Sequence, residues 1–160
     1  MKIERKIHFC GGSILLIMLL LTFGCNFSYS VGIPKEPTSE DLQTLAKKTM
    51  TDFTEALEKD DFDGLRRKTS KSFQQQYTAE QIKNSFGVFI TKKDLSVPLF
   101  RATQTIDAEF STQPQMSEAD KLYFLEMKGK FSTQPRNLNF HFEYIREEGK
   151  WKLTKFQVKT

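Results

Sequence analysis

From Leu138 the chain alternates with a period of two. Leu138, Phe140, Phe142 and Tyr144 stand against Asn139, His141, Glu143 and Ile145. Alternation of this kind is what a strand shows when one face is buried and the other meets water, as in an antiparallel sheet. Glu147-Glu148-Gly149-Lys150 then makes a turn into Trp151-Lys152-Leu153, so the two segments are read as a β-hairpin. Upstream, Ile106, Ala108 and Phe110 alternate with Asp107, Glu109 and Ser111. Residues 122–131 are apolar on both sides, which predicts a central strand. Phe110-Ser-Thr-Gln-Pro114 recurs as Phe131-Ser-Thr-Gln-Pro135. Proline cannot donate to a ladder, so both copies are read as strand exits. Two copies are too few for a repeat architecture.

The first half has helical spacing instead. Leu42, Leu45, Ala46, Thr49, Phe53, Ala56 and Leu57 recur at intervals of three and four, which predicts an amphipathic helix over residues 39–60. Thr38 or Ser39 caps it, and Glu40 and Asp41 suit the positive end of its dipole. Asp60-Asp61-Phe62-Asp63-Gly64-Leu65 predicts a second, short helix with Phe62 and Leu65 pointing inward. Those acids lack the alternate spacing and terminal Glu of a calcium loop. Thr78-Ala79-Glu80-Gln81 is a capping box that opens a third helix over 78–90, burying Ile82, Phe86, Phe89 and Ile90. Residues 94–101, with Pro98, are read as an extended connection.

The N-terminus sets the destination. Lys2, Arg5 and Lys6 precede an apolar run over 13–23, closed by Gly24-Cys25. A basic head, an apolar middle and a small-residue exit make a secretory signal. The run is well short of the roughly 20 apolar residues of a spanning helix, although extending it back to Phe9 keeps an uncleaved anchor as an alternative. Leu21-Thr22-Phe23-Gly24-Cys25 resembles the lipobox of bacterial lipoproteins, with Thr22 where leucine is usual. The resemblance implies removal of residues 1–24 and lipidation (palmitate included) of Cys25. Ser28-Tyr29-Ser30 offers a rival cleavage site that would give a soluble secreted or periplasmic protein. Residues 25–37, with Gly32, Pro34 and Pro37, read as the lipidated cysteine and a tether, and 38–160 as one domain.

Composition excludes several functions. The chain has 24 basic and 20 acidic residues. Three of the basic residues and one acid fall in the signal, so the exported part is nearly neutral. Lysines and arginines are scattered among acids, without the basic stripe of a nucleic-acid binder. Both cysteines, Cys10 and Cys25, belong to the signal region. The domain therefore has no internal disulfide, thiol nucleophile or cysteine metal site. With His141 as its sole histidine it has no multi-histidine zinc site, and no cofactor or metal is implied. Most of the 15 phenylalanines lie beyond Cys25. Each contributes roughly 1.5–3 kcal/mol when fully buried, which is the means of holding a core without cross-links.

Helices followed by an antiparallel sheet give an α+β plan: three N-terminal helices packed on a curved antiparallel sheet, a cone-shaped roll. The chain resembles the nuclear transport factor 2-like, or cystatin-like, superfamily over about residues 39–159. The resemblance rests on Phe53-Thr-Glu-Ala-Leu-Glu-Lys-Asp-Asp-Phe-Asp-Gly-Leu65 as helix, break and helix, on Phe73-Gln-Gln-Gln-Tyr77 as a short linker, and on the hairpin Phe142-Glu-Tyr-Ile-Arg-Glu-Glu-Gly-Lys-Trp-Lys-Leu153. It implies a cone cavity between helices and sheet, whose candidate walls are Phe53, Leu57, Phe86, Phe110, Phe140, Phe142 and Tyr144. Simple core packing is the competing reading of these residues. Tyr144 is the polar handle, since its buried hydroxyl needs a partner.

Family enzymes place a carboxylate or a His-carboxylate pair on the cavity wall. Here Asp107, Glu109, His141 and Glu143 alternate against the apolar face and are expected in solvent, with His141 and Glu143 side by side. Glu126 points inward only if its strand runs in the other register. No catalytic residue is assigned. The expectation is a non-enzymatic, membrane-tethered domain that binds a small apolar ligand or a protein partner at the cell envelope. A small isomerase- or hydrolase-type enzyme using the cone is the alternative. Leu122 and Phe124, if exposed, offer a homodimer surface on the sheet. In a host with two membranes, Asn26 after the cysteine favours the periplasmic side of the outer membrane by analogy with lipoproteins.

Overall fold

A computed structural model of the chain describes residues 34–160; the signal, Cys25 and the first part of the tether lie outside the described residues. Residues 34–160 form one compact unit. Six helices come first and five strands follow: α1 Ser39–Lys59, α2 Phe62–Arg67, α3 Lys71–Gln76, α4 Ala79–Ser85, α5 Gly87–Thr91, α6 Lys93–Ala102, β1 Ala108–Phe110, β2 Gln115–Ala119, β3 Leu122–Phe131, β4 Leu138–Glu147 and β5 Lys150–Lys159. The architecture is α+β, with a five-stranded antiparallel open sheet rather than three helices on a sheet.

Local chemistry sets most helix ends. Thr38 and Asp41 form a reciprocal capping box at the start of α1. The acidic run after α1 is spent on backbone. Asp60 takes the left-handed conformation that ends α1, and the Asp61 carboxylate accepts from the Gly64 amide at 2.7 Å to start α2. Phe73 to Tyr77, expected as linker, is mostly helix: Ser70 caps α3 by accepting from the Phe73 amide. Thr78 and Gln81 form the expected box on α4. The third helix does not run to Ile90, however. It breaks at Phe86, whose backbone leaves the helical region before α5. The break turns the Phe86 ring onto Phe53 and Phe156, at centroid distances of 4.7 and 5.4 Å.

The largest correction is α6. Residues 94–101, read as extended, are helical with Pro98 inside. Proline there removes one backbone donor. Tertiary packing offsets that loss: Phe100 is fully buried against Phe53 and Phe89, at 5.3 and 5.0 Å. Arg101 also donates to Glu58 at 2.6 Å, and Lys93 to the Glu58 carbonyl at 2.6 Å, tying α6 to α1.

In the sheet, β3 is central, as its two-sided apolar character predicts. It pairs with β4 on one edge and with both β1 and β2 on the other. Ser111 to Pro114 therefore interrupts one edge rather than ending it, and the Ser111 amide still donates to the Lys128 carbonyl at 2.9 Å. The second copy does follow a strand end, at Phe131. At Gly129, opposite Phe110, an added Cβ would lie 2.3 Å from the Glu109 carbonyl oxygen, so β1 approaches as closely as it does only over glycine. The two tight hairpin turns each have two residues with positive φ. They are Asp120-Lys121 before β3 and Glu148-Gly149 before β5, the geometry that matches strand twist.

The β4–β5 ladder changes phase once. Glu143 pairs with Lys155 but Tyr144 pairs with Leu153, leaving Thr154 as the extra residue of a bulge. Leu153 opposes Tyr144, Phe156 opposes Phe142 and Val158 opposes Phe140. All of these belong to or pack on the core. Rings run continuously through that core. Phe100 meets Phe53, Phe53 meets Phe156 at 4.7 Å, Phe156 stacks on Phe142 at 5.2 Å and Phe142 on Phe140 at 4.7 Å.

Candidate functional site

A largely apolar concavity opens where α2, α3 and α4 face β5. It has a volume of about 250 Å³. Its walls are Leu65 from α2, Phe73 from α3 with Tyr77 just after it, Ile82 from α4 with Phe86 at the break that follows, and Leu153 and Phe156 from β5. Thr69, Ser85, Thr154, Lys155 and Gln157 complete the lining. The Phe73 and Tyr77 rings lie 4.8 Å apart, and Tyr77 is 38% exposed, so it stands at the rim. Tyr77 and Lys155 are the titratable groups on this wall, and no carboxylate or imidazole is on it.

The cavity exists because two elements meet it at an edge. β5 has β4 on one side and, among the described residues, no strand on the other. The helical segment crosses that edge, held by the Ser70 amide donating to the Leu153 carbonyl at 2.8 Å. The bulge at Thr154 then brings Phe156 round to the same side as Leu153, while Lys155 borders the cavity from the strand and sends its ammonium to Glu143 on the outer face.

The sequence-derived wall residues separate into two groups. Phe53, Leu57, Phe140, Phe142 and Tyr144 are all 5% exposed or less and pack in the core. Phe86 lines the cavity, and Phe110 is half-buried at the β1 edge of the sheet. Tyr144 finds the partner that its hydroxyl needs: Thr49 on α1, at 2.8 Å. Burial drives the Tyr144 phenol well above its ordinary pKa, so it stays protonated. Leu65, Phe73, Tyr77, Ile82, Leu153 and Phe156 are the apolar and aromatic wall residues missing from the sequence-derived set. The Phe73-to-Tyr77 spacing of four, behind a serine three residues earlier, is the signal that marks them as one helix face.

The polar face of the sheet carries a second constellation. Glu126 is not inward: its register with Glu143 puts it on the outer face, because Leu125 and Met127 take the core side. His141 and Glu143 are side by side on that face, as expected. The His141 Nε2 atom lies 2.7 Å from a Glu126 oxygen and 3.2 Å from a Glu143 oxygen. Lys128 reaches the same Glu126 oxygen at 2.7 Å, and Lys155 the same Glu143 oxygen at 2.7 Å. The hydrogen bond from Lys128, with a smaller one from His141, holds the Glu126 carboxyl below its usual range. Also on this face, Leu122 is 44% exposed and Phe124 half-buried beside Ile145.

The chain matches no protein-family model and no curated protein. No described helix is long and apolar enough to cross a membrane.

The Thr49–Tyr144 pair is testable in isolation. Replacing Tyr144 by Phe strands the Thr49 hydroxyl in the core and should cost about 1–3 kcal/mol. Thr49→Val combined with Tyr144→Phe should cost less than the two single changes summed, since no polar atom is then left unpaired. Urea unfolding of the four proteins measures both values.

Proposed function

We propose that the chain is an exported, lipid-anchored binding module of nuclear transport factor 2-like plan, with a cone-shaped roll holding a small apolar group at the cell envelope. The observation that carries the reading is the chemistry of the cavity wall. Ring and aliphatic carbons form most of it; Tyr77 stands at its rim, the Lys155 ammonium is taken up by Glu143 on the outer face, and no carboxylate or histidine lines the wall. Apolar walls with a few polar groups at the rim are what ligand sites present, and at about 250 Å³ the space suits an aromatic ring or a short branched chain. General acid–base work needs a group poised within reach of the reacting atom. The imidazole–carboxylate groups are on the outer face of the sheet instead. The helices-first order and the terminal hairpin support the nuclear transport factor 2-like reading.

Anchoring rests on the sequence of residues 1–25. Several acyl chains on one cysteine, at about 0.8 kcal/mol per buried methylene, make attachment effectively permanent. The exported protein should incorporate labelled palmitate, and Cys25→Ser should abolish the incorporation. Equal labelling of the variant, or none in the parent, would contradict the anchor.

The cavity is tested with an uncharged naphthyl fluorophore. Saturable one-to-one emission enhancement is expected. Ser85 sits at the exposed rim of the cavity, so Ser85→Trp plugs the space without disturbing the core. That variant should lose about tenfold or more in affinity, a change of about 1.4 kcal/mol, with unchanged urea stability. Equal binding by both proteins would contradict the assignment.

A further inference from the structure

A single histidine among residues 34–160 leaves no multi-histidine centre there, but it leaves open a set of one imidazole and two carboxylates. Glu126 on β3 lies directly opposite Glu143 on β4, and His141 is two residues from Glu143 on the same face. Like charges directly opposite one another in a sheet are unfavourable unless something positive sits between them. Here the atom between them is His141 Nε2, which faces both carboxylates at once. A neutral imidazole has at most one hydrogen on that nitrogen, so two anionic acceptors converge on one N–H. One ligating atom from each residue lies within 4.8 Å of the others.

A divalent first-row metal fits that centre. Nitrogen and oxygen ligands at about 2.0–2.2 Å in a tetrahedron stand about 3.3–3.6 Å apart. The Nε2-to-Glu143 separation of 3.2 Å is almost there, and the Nε2-to-Glu126 separation of 2.7 Å needs a small opening. All three residues are partly exposed, which leaves a fourth position for water. Imidazole with carboxylates selects zinc-class ions over calcium and magnesium, which take oxygen sets. Lys128 and Lys155 are then built-in competitors, holding the two carboxylates until the metal displaces them.

We propose that Glu126, His141 and Glu143 form a zinc-class divalent metal site on the outer face of the sheet, with Lys128 and Lys155 as competing cations. The test uses the full chain with Cys10 and Cys25 changed to serine in every protein, so that thiolates take no metal. Zinc per chain is measured by equilibrium dialysis and elemental analysis, alongside the shift in Tm on adding zinc. The parent should bind one zinc more than His141→Asn and one more than Glu126→Gln/Glu143→Gln, and only the parent should gain Tm. Lys155→Met, or Lys128→Met if the first is poorly folded, should bind several-fold tighter than the parent. A lone surface imidazole would keep its zinc in Glu126→Gln/Glu143→Gln, so equal zinc content in that variant and the parent would overturn the proposal. Equal zinc content in the parent and His141→Asn, or lysine variants that bind no tighter, would also overturn it.

Discussion

One extra residue in β5 governs how the two halves of this domain meet. β4 presents Leu138, Phe140, Phe142 and Tyr144 to the core with strict period two. An unbroken β5 opposite it would put Leu153 and Phe156 on opposite faces, because they are an odd number of residues apart. The bulge at Thr154 absorbs the mismatch, so Leu153, Phe156 and Val158 all face inward. Were Phe156 turned outward, Phe53 and Phe142 would lose the ring between them, at 4.7 and 5.2 Å. The helix layer and the sheet would then share far less aromatic contact.

The same bulge shapes the cavity. It sits on the strand edge that α3 crosses, where Ser70 holds Leu153 by its backbone. Leu153 and Phe156 floor a space that Phe73, Tyr77 and Phe86 roof. Rings that are shared further in, such as Phe53 and Phe142, are fully enclosed, so the aromatic stack passes from solid core to open wall at Phe156 and Phe86. With no cysteine among residues 34–160, this packing, the caps at Thr38, Asp61, Ser70 and Thr78, and the buried Thr49–Tyr144 hydrogen bond hold the fold without a cross-link.

What could be read from the chain follows from how local each cause is. The β4 alternation, the two-residue turn at Glu148-Gly149, the central place of β3 and the box at Thr78 are set by neighbours in sequence, and all are present. α6 was hidden because proline argues locally against a helix, while the packing of Phe100 that outweighs it comes from distant residues. β2 has no apolar alternation; its residues are mostly exposed and it exists because β3 offers an edge. The bulge is invisible for the same reason, since it appears only when β5 is laid against β4. Hence the core members of the sequence-derived wall are legible as inward-facing from periodicity alone, Phe73 and Tyr77 leave only a spacing of four behind Ser70, and Phe156 at the opening leaves no local signal. Glu126 could be placed only once its register with Glu143 was known.

Native mass spectrometry of the chain, purified gently from the cell envelope, tests the binding account most directly. The account predicts a small-molecule mass retained beyond the covalent mass of the protein, and its loss in Ser85→Trp. The bare covalent mass in both proteins would contradict it and would leave the space beside β5 as a packing defect.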